Sequence, residues 1–185
     1  MTQRATLFAI SGALILAGCS KQQPIKALIG DPEEIAPSEL QAAGSLAMSA
    51  AQEGATLLAV CGPQKGIAYY VKPKSEGWTD DAITAGRYVF TVSKEGKPNV
   101  FFKDATGTFT NAESDGAAIQ FIQKPNRDKE FGILLTYPST GVTETYVISN
   151  DDQGHRIGML TSTKPNVNFI MGIMSKVAAF TTHCV

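Results

Sequence analysis

The sequence predicts a mainly β domain, an antiparallel meander that closes into a small β-barrel or sandwich after one short N-terminal helix. Apolar and polar residues alternate with a period of two from residue 57 onward, most clearly at Phe131, Ile133 and Leu135. Turn signals such as Glu95-Gly96 interrupt the alternation about every 8 to 13 residues, the spacing of such folds. No helix-length crossover lies between the predicted strands, which disfavours a parallel sheet.

Residues 1–18 are predicted to be a signal peptide and are excluded from the fold. The apolar stretch 5–17 is too short to cross a bilayer as a helix of about 20 residues. The segment Leu16-Ala17-Gly18-Cys19 resembles the lipobox of bacterial prolipoproteins. This resemblance implies cleavage before Cys19, thioether attachment of a diacylglyceryl group to its sulfur and acylation, for example with palmitate, of the new amino terminus. The alternative is an ordinary secretory signal with a chance cysteine.

The lipid on Cys19 would attach the protein to a membrane, since two or more buried acyl chains anchor a protein stably. Ser20 follows the cysteine, and by analogy with the same lipoproteins this favours the outer membrane, facing the periplasm. The inner membrane and the cell surface are the alternatives. The formal net charge is only −1, so no strong basic field exists to bind nucleic acid, and no nucleic-acid partner is expected.

Residues 19–36 have the composition of a tether, and residues 37–54 are predicted to form the short helix. Ser38 and Gln41 are spaced as a capping box. The helix would turn small side chains toward the domain, namely Leu40, Ala43, Ala47 and Ala50. Because burial of such small side chains stabilises a helix little, partial disorder of this segment is the alternative.

Residues 57–185 are predicted to form the β domain. Strands are expected near 57–61, 66–72, 86–93, 98–103, 116–123, 130–137, 142–149, 155–163 and 176–184, with 168–174 open between helix and strand. Cys61 and Cys184 form an even pair in an exported chain, which indicates a disulfide that joins the first and last strands. Two free buried thiols are the alternative.

The predicted β domain also resembles uncharacterised bacterial lipoproteins of unknown function. The resemblance is carried by a Cys-x-x-x-x-Gly-x-Ala-Tyr-Tyr segment at residues 61–70, a Gly-Trp-x-x-Asp turn at 77–81, and Tyr-Pro at 137–138 followed by Glu-Thr-Tyr at 144–146. It implies no activity, ligand or partner.

No catalytic, cofactor-binding or metal-binding motif has the required spacing, and no cofactor is expected. His155 and His183 lack acidic or thiol neighbours at ligand spacing. The segment 111–116 resembles the start of a calcium loop but has Ile122 at its twelfth position, so a hairpin turn is the better interpretation. Asp80-Asp81 after Trp78 is interpreted as a turn whose Trp plugs one end of a barrel. Five tyrosines are candidates to line a binding face, namely Tyr69, Tyr70, Tyr88, Tyr137 and Tyr146.

These observations favour a lipid-anchored envelope protein with a non-catalytic binding or structural β domain, whose partner is an unidentified envelope protein or glycan. One alternative is an inhibitor of a periplasmic lytic enzyme, similar to lysozyme inhibitors, although the nearest loop, 114–119, lacks that family's Tyr. The other is an enzyme that acts on glycan or lipid. It would require Asp80 or Asp81 and Glu144 to converge in one pocket, with His155 as an optional third member.

Overall fold

The structure is a computed structural model that describes residues 36–51, 53–71, 77–84, 86–103, 108–169 and 172–185. The predicted signal peptide, Cys19 and the tether up to residue 35 lie outside these residues. One helix, α1 (Pro37–Ala50), precedes the strands. The strands are β1 (Thr56–Cys61), β2 (Gln64–Val71), β3 (Gly77–Ile83), β4 (Arg87–Val92), β5 (Pro98–Lys103), β6 (Phe109–Asn111), β7 (Ala118–Gln123), β8 (Phe131–Tyr137), β9 (Val142–Asn150), β10 (Arg156–Phe169) and β11 (Gly172–His183).

The strands form two antiparallel sheets, which confirms the predicted mainly β fold with one short helix. The smaller sheet has the order β1-β4-β5-β6 and the larger one the order β3-β2-β11-β10-β9-β8-β7. The two sheets are not closed into one barrel. Of the two predicted architectures, the sandwich is therefore the one that fits.

The core lies between the sheets and consists of residues that alternate along the strands. Phe90 of β4 contacts Phe131 of β8 and Tyr146 of β9 edge to face, with ring centroids 5.7 and 5.2 Å apart. Ile133 and Leu135 are fully buried between them, as the period of two predicted. This central packing holds the two sheets in a fixed relation.

Helix α1 covers the outer face of the smaller sheet. Leu40, Ala43 and Ala47 are buried against Val60, Val89 and Phe101. The predicted inward stripe is thus confirmed at three positions, whereas the side chain of Ala50 is not described. The capping box prediction was wrong: the N-cap is Ala36 with no side-chain cap hydrogen bond, because Pro37 already starts the helix without a free N–H. The helix also ends at Ala50, before the predicted residue 54.

The two sheets meet at a corner where β1 passes into β2. The disulfide between Cys61 and Cys184 lies there, as predicted, and joins strands 123 residues apart. The backbone amides and carbonyls of Val60 and Val185 bond to each other at 3.0 and 2.9 Å. The first and last strands therefore lie side by side at this corner.

Two strands were missed by the sequence analysis. Residues 77–83, predicted as a turn, form the edge strand β3, and β6 is a three-residue strand. Trp78 does not plug an end of the fold: its side chain is 59% exposed on β3. Because Trp78 pairs with Tyr69 of β2, both rings lie on the outer face of the larger sheet. No helix in the described part of the chain is long and apolar enough to cross a bilayer.

Candidate functional site

A cleft of about 290 Å³ opens between the two sheets at one end of the sandwich. Its walls combine three aromatic rings with charged side chains. The aromatic residues are Tyr88, Phe102 and Tyr137, and the charged ones are Asp115, Glu144 and Lys164. A wider depression of about 620 Å³ is lined mainly by alanines and by polar residues around the β4–β5 turn. Of these two cavities, only the cleft joins aromatic rings to converging charges, so we take it as the candidate site.

Strand register places these residues at the cleft. Glu144 of β9 lies opposite Leu135 of β8 and Ser162 of β10, and all three point toward the smaller sheet. Tyr137 ends β8 at the rim of the same face, where its strand partner is Val142. The positions of Glu144 and Tyr137 are therefore set by backbone hydrogen bonds among the three strands β8, β9 and β10.

Three donors surround the carboxylate of Glu144. The hydroxyl of Tyr146 donates to Oε2 at 2.9 Å, and that of Ser162 reaches Oε1 at 3.4 Å. The ammonium of Lys164 lies 3.5 Å from Oε1. The Glu144 side chain is 14% exposed and that of Lys164 is 37% exposed, so the pair lies at the mouth of the cleft. Such a carboxylate is oriented to accept hydrogen bonds from a ligand, and the lysine is placed to donate them.

The hydroxyls around Glu144 stay protonated far above neutral pH. Burial, followed by the charges of Glu144 and Asp115, raises the pKa of Tyr137 to about 12. Burial and the charge of Glu144 also raise the pKa values of Tyr88 and Tyr146. These tyrosines therefore act as neutral donors and as aromatic surface, not as bases.

A second polar cluster lies on the same inner face of the larger sheet, across β2, β3 and β11. The hydroxyl of Tyr70 donates to Oδ2 of Asp81 at 2.7 Å, and the ammonium of Lys176 forms an ion pair with the same oxygen. Lys176 also lies over the rings of Tyr70 and Phe180, 5.2 and 5.4 Å from their centroids. We call Asp81, Tyr70 and Lys176 the inner triad.

In the inner triad, hydrogen bonding and charge affect the pKa values of Asp81 and Lys176 more than burial does. Burial by itself would raise the pKa of Asp81, but the bonds from Lys176 and Tyr70 lower it. Burial would likewise lower the pKa of Lys176, yet its contacts with Asp81 and Tyr70 raise it. Both shifts favour the ionised pair.

The inner triad lies next to the cleft, and one lysine of each faces the other across neighbouring strands. Lys176 of β11 lies directly opposite Lys164 of β10. Facing like charges are destabilising, and each lysine is paired instead with a carboxylate, Lys176 with Asp81 and Lys164 with Glu144. The inner face thus carries a row of alternately paired charges from β3 to β9.

The acidic residues considered for catalysis do not converge. Asp80 and Asp81 point to opposite faces of β3, and only Asp81 lies on the inner face. Four strand spacings, about 19 Å, separate β3 from the strand of Glu144. His155 lies in the turn between β9 and β10, at the opposite end of β9 from Glu144. These residues therefore do not form one pocket.

The other sequence candidates have local structural roles. The Nδ1 atom of His155 lies 3.3 Å from Asp151, and the ring is exposed. Asn111 caps the turn after β6 by accepting hydrogen bonds from the amides of Glu113 and Ser114. Within the described residues, no group of three or more histidines, cysteines or acidic residues is arranged to hold a metal ion.

The sequence analysis selected the tyrosines but missed Lys164, Lys176 and Phe102. Of the five tyrosines, Tyr88 and Tyr137 line the cleft, Tyr146 lies beneath it, Tyr70 belongs to the inner triad and Tyr69 faces outward. An alternation analysis of the last two strands would have placed both lysines on the inner face. Comparison with known protein families, curated proteins and solved structures finds no match for this chain.

Proposed function

We propose that this chain is a lipid-anchored cell-envelope protein whose β sandwich is a non-catalytic binding domain. The pattern of Leu16-Ala17-Gly18-Cys19 supports the anchor. The observation that carries the binding function is the cleft, where aromatic rings adjoin the paired charges of Glu144 and Lys164. Strand positions hold these groups in place before any ligand arrives, which lowers the entropic cost of binding.

The chemistry of the cleft fits a sugar ring. Aromatic side chains cover the apolar face of a sugar, while a carboxylate and an ammonium bond to its hydroxyl or amide groups. A volume of about 290 Å³ lies at the lower end for ligand pockets, which suits a segment of one or two rings. A protein tethered to an envelope membrane meets such rings in the surrounding glycan. The proposed ligand is therefore a short segment of envelope glycan.

The purified full chain in detergent provides a direct test. Calorimetric titration with the soluble disaccharide unit of peptidoglycan should show saturable binding. Tyr137→Ala should weaken it at least tenfold, because the ring forms one wall of the cleft. Tyr69→Ala is the matched control, since this tyrosine lies on the outer face and should leave the affinity unchanged. Absence of binding, or an equal effect of both substitutions, would contradict the proposal.

A glycan-cleaving enzyme is the second candidate, because Asp115 and Glu144 both line the cleft. Glycoside hydrolysis needs two carboxyl groups, one of them kept protonated. Three donors point at Glu144, however, and Asp115 lies in an exposed turn, which favours the binding function. Release of reducing sugar ends that disappears in Asp115→Asn would favour the enzyme instead.

The inhibitor alternative depends on the exposed turn that contains Ser114, Asp115 and Gly116. This turn borders the cleft through Asp115. A lysozyme inhibition assay with the full chain tests it, and no inhibition is expected because the Tyr of the inhibitor loop is missing. The anchor is tested separately by growth with labelled palmitate. The wild-type chain should carry the label and Cys19→Ala should not.

A further inference from the structure

The outer face of the larger sheet carries almost no charge. This outer face consists of the residues that point away from the smaller sheet along β2, β3 and β7 to β11. Among the described outward residues of these strands, only Lys65 and Asp80 carry a full charge, and they lie diagonally on neighbouring strands, where their charges offset each other. The carboxylate of Glu130, which precedes β8, reaches the edge of this face, where it accepts a hydrogen bond from Ser149 of β9 at 2.6 Å. A solvated sheet face normally carries polar residues, and the polar residues here are mostly uncharged threonines and serines. A face of this composition can be buried against a partner with little desolvation of charge.

Five large apolar residues on this outer face are half exposed or nearly so. Trp78 is 59% exposed, Ile122 53%, Val177 49%, Val71 47% and Met159 45%. They lie on β3, β2, β11, β10 and β7 and therefore share one face, on which threonines separate them. An exposed face with this many large apolar residues is a candidate interaction site.

We propose that a second copy of this chain covers the outer face, so that two larger sheets pack face to face about a two-fold axis. Seven strands about 4.8 Å apart, each with about four outward residues, give a face of roughly 600 Å². Two such faces would bury roughly 1,200 Å², the lower bound for a stable specific interface. The area therefore suffices for a dimer.

The charge distribution favours a second copy over a lipid surface. In a two-fold interface the same face meets itself, so any excess charge would meet its like. The described residues leave a single acid, Glu130, in excess at the edge of this face, so that repulsion is small. A face that docks on anionic lipid needs several basic residues, whereas the described residues of this one include a single lysine. Its threonines, such as Thr143, Thr145 and Thr161, also need hydrogen-bond partners that acyl chains do not provide.

Photo-crosslinking of the full chain in its own membranes tests the occupant. A photoreactive residue at Met159 should give an adduct of twice the protomer mass. The same residue at Leu46, which is 56% exposed on α1, is the matched control and should not. An adduct with another protein, an adduct with lipid, or the absence of a dimer at Met159 would overturn the proposal.

Tryptophan fluorescence gives a second, independent measurement, because Trp78 is the only tryptophan of the chain. Dilution of the purified full chain in detergent should shift its emission to longer wavelength as the dimer separates. Val177→Lys should weaken dimerisation at least tenfold, because each copy would have to bury a new charge in the interface, and Leu46→Lys should not. The proposal would be overturned if the emission wavelength and the mass from light scattering did not depend on protein concentration. It would also be overturned if residues 1–35 of the same chain covered Trp78. Neither result depends on a ligand in the cleft.

Discussion

The inner and outer faces of the larger sheet differ in charge, and the difference is the reverse of what a solvated sandwich normally shows. The inner face carries Asp81, Lys176, Lys164 and Glu144, all in ion pairs. The described outward residues are mainly large apolar residues and threonines with one offset pair of charges, and Glu130 lies at the edge of this face, bonded to Ser149. Both faces are built from the same seven strands, so the side on which a residue falls decides its role.

Two pairs of identical neighbours make this comparison directly testable. Tyr69 points outward beside Trp78, and Tyr70 points inward to Asp81. Asp80 points outward, and Asp81 accepts the bond from Tyr70. The two members of each pair are adjacent in the sequence, but their side chains lie on opposite faces of the sheet. The chain therefore provides its own control for substitutions in the inner triad.

The largest expected difference is between Asp81→Asn and Asp80→Asn. Loss of the Asp81 charge leaves Lys176 partly buried without its ion-pair partner, which should lower the free energy of unfolding by about 2 kcal/mol. Asp80→Asn changes an exposed residue and should stay within about 0.5 kcal/mol. Urea denaturation of the full chain in detergent measures both, and equal effects would show that the two faces do not differ in this way.

The stability gap between wild type and Asp81→Asn should depend on pH. The folded-state pKa of Asp81 lies below its ordinary value of 3.8, so the stabilisation is complete above that value and is lost as pH falls through the folded pKa. The folded-state pKa of Lys176 lies above 10.5, so the stabilisation is also lost as pH rises through that folded pKa. Unfolding measured across this range should show a plateau between two limbs. A gap that is constant down to pH 2 would contradict the ion pair.

The next difference is between Tyr70→Phe and Tyr69→Phe. The first removes a hydrogen bond of 2.7 Å to a carboxylate and should cost about 1 to 1.5 kcal/mol. The second removes a hydroxyl on the outer face and keeps the ring contact with Trp78, so it should change stability little. Thermal unfolding followed by circular dichroism compares them. A larger loss of stability for Tyr69→Phe than for Tyr70→Phe would contradict the assignment of Tyr69 to the outer face and Tyr70 to the inner face.

Much of the fold was predictable from the sequence because packing against one core imposes a period of two. Phe131, Ile133 and Leu135 alternate in the sequence and are buried in the structure. Strand β3 was not predictable in this way, because its inward residues include Thr79 and Asp81 and its outward residue Trp78 is apolar. A strand with polar residues on its inner face and an aromatic residue on its outer face lacks the usual alternation. From its own sequence it is therefore predicted as a turn.

The candidate site was predictable only in part. The tyrosines were selected because aromatic side chains favour strands and binding faces. The pairing of Lys164 with Glu144 depends on the register of β9 against β10, and that of Lys176 with Asp81 on the order of three strands. Register and strand order are set by contacts between distant parts of the chain, so no local motif contains them.

The smallest predicted effect concerns the electrostatics of the cleft. Burial raises the pKa of Tyr137 to about 12, and the charge of Glu144 contributes more to that rise than the charge of Asp115. Both Glu144→Gln and Asp115→Asn should therefore lower the pKa of Tyr137, the first more than the second. Glu113→Gln, in the same exposed turn as Asp115, should leave it unchanged. The pKa can be followed by NMR of ring-labelled tyrosine, which separates Tyr137 from the other four.

The order of these three substitutions distinguishes the cleft from a general surface effect. If the carboxylates acted only through the net charge of the protein, all three would lower the pKa of Tyr137 equally, because each removes one negative charge. If instead the local field of the cleft acts on Tyr137, removal of the Glu144 charge has the largest effect on the pKa and removal of the Glu113 charge has none.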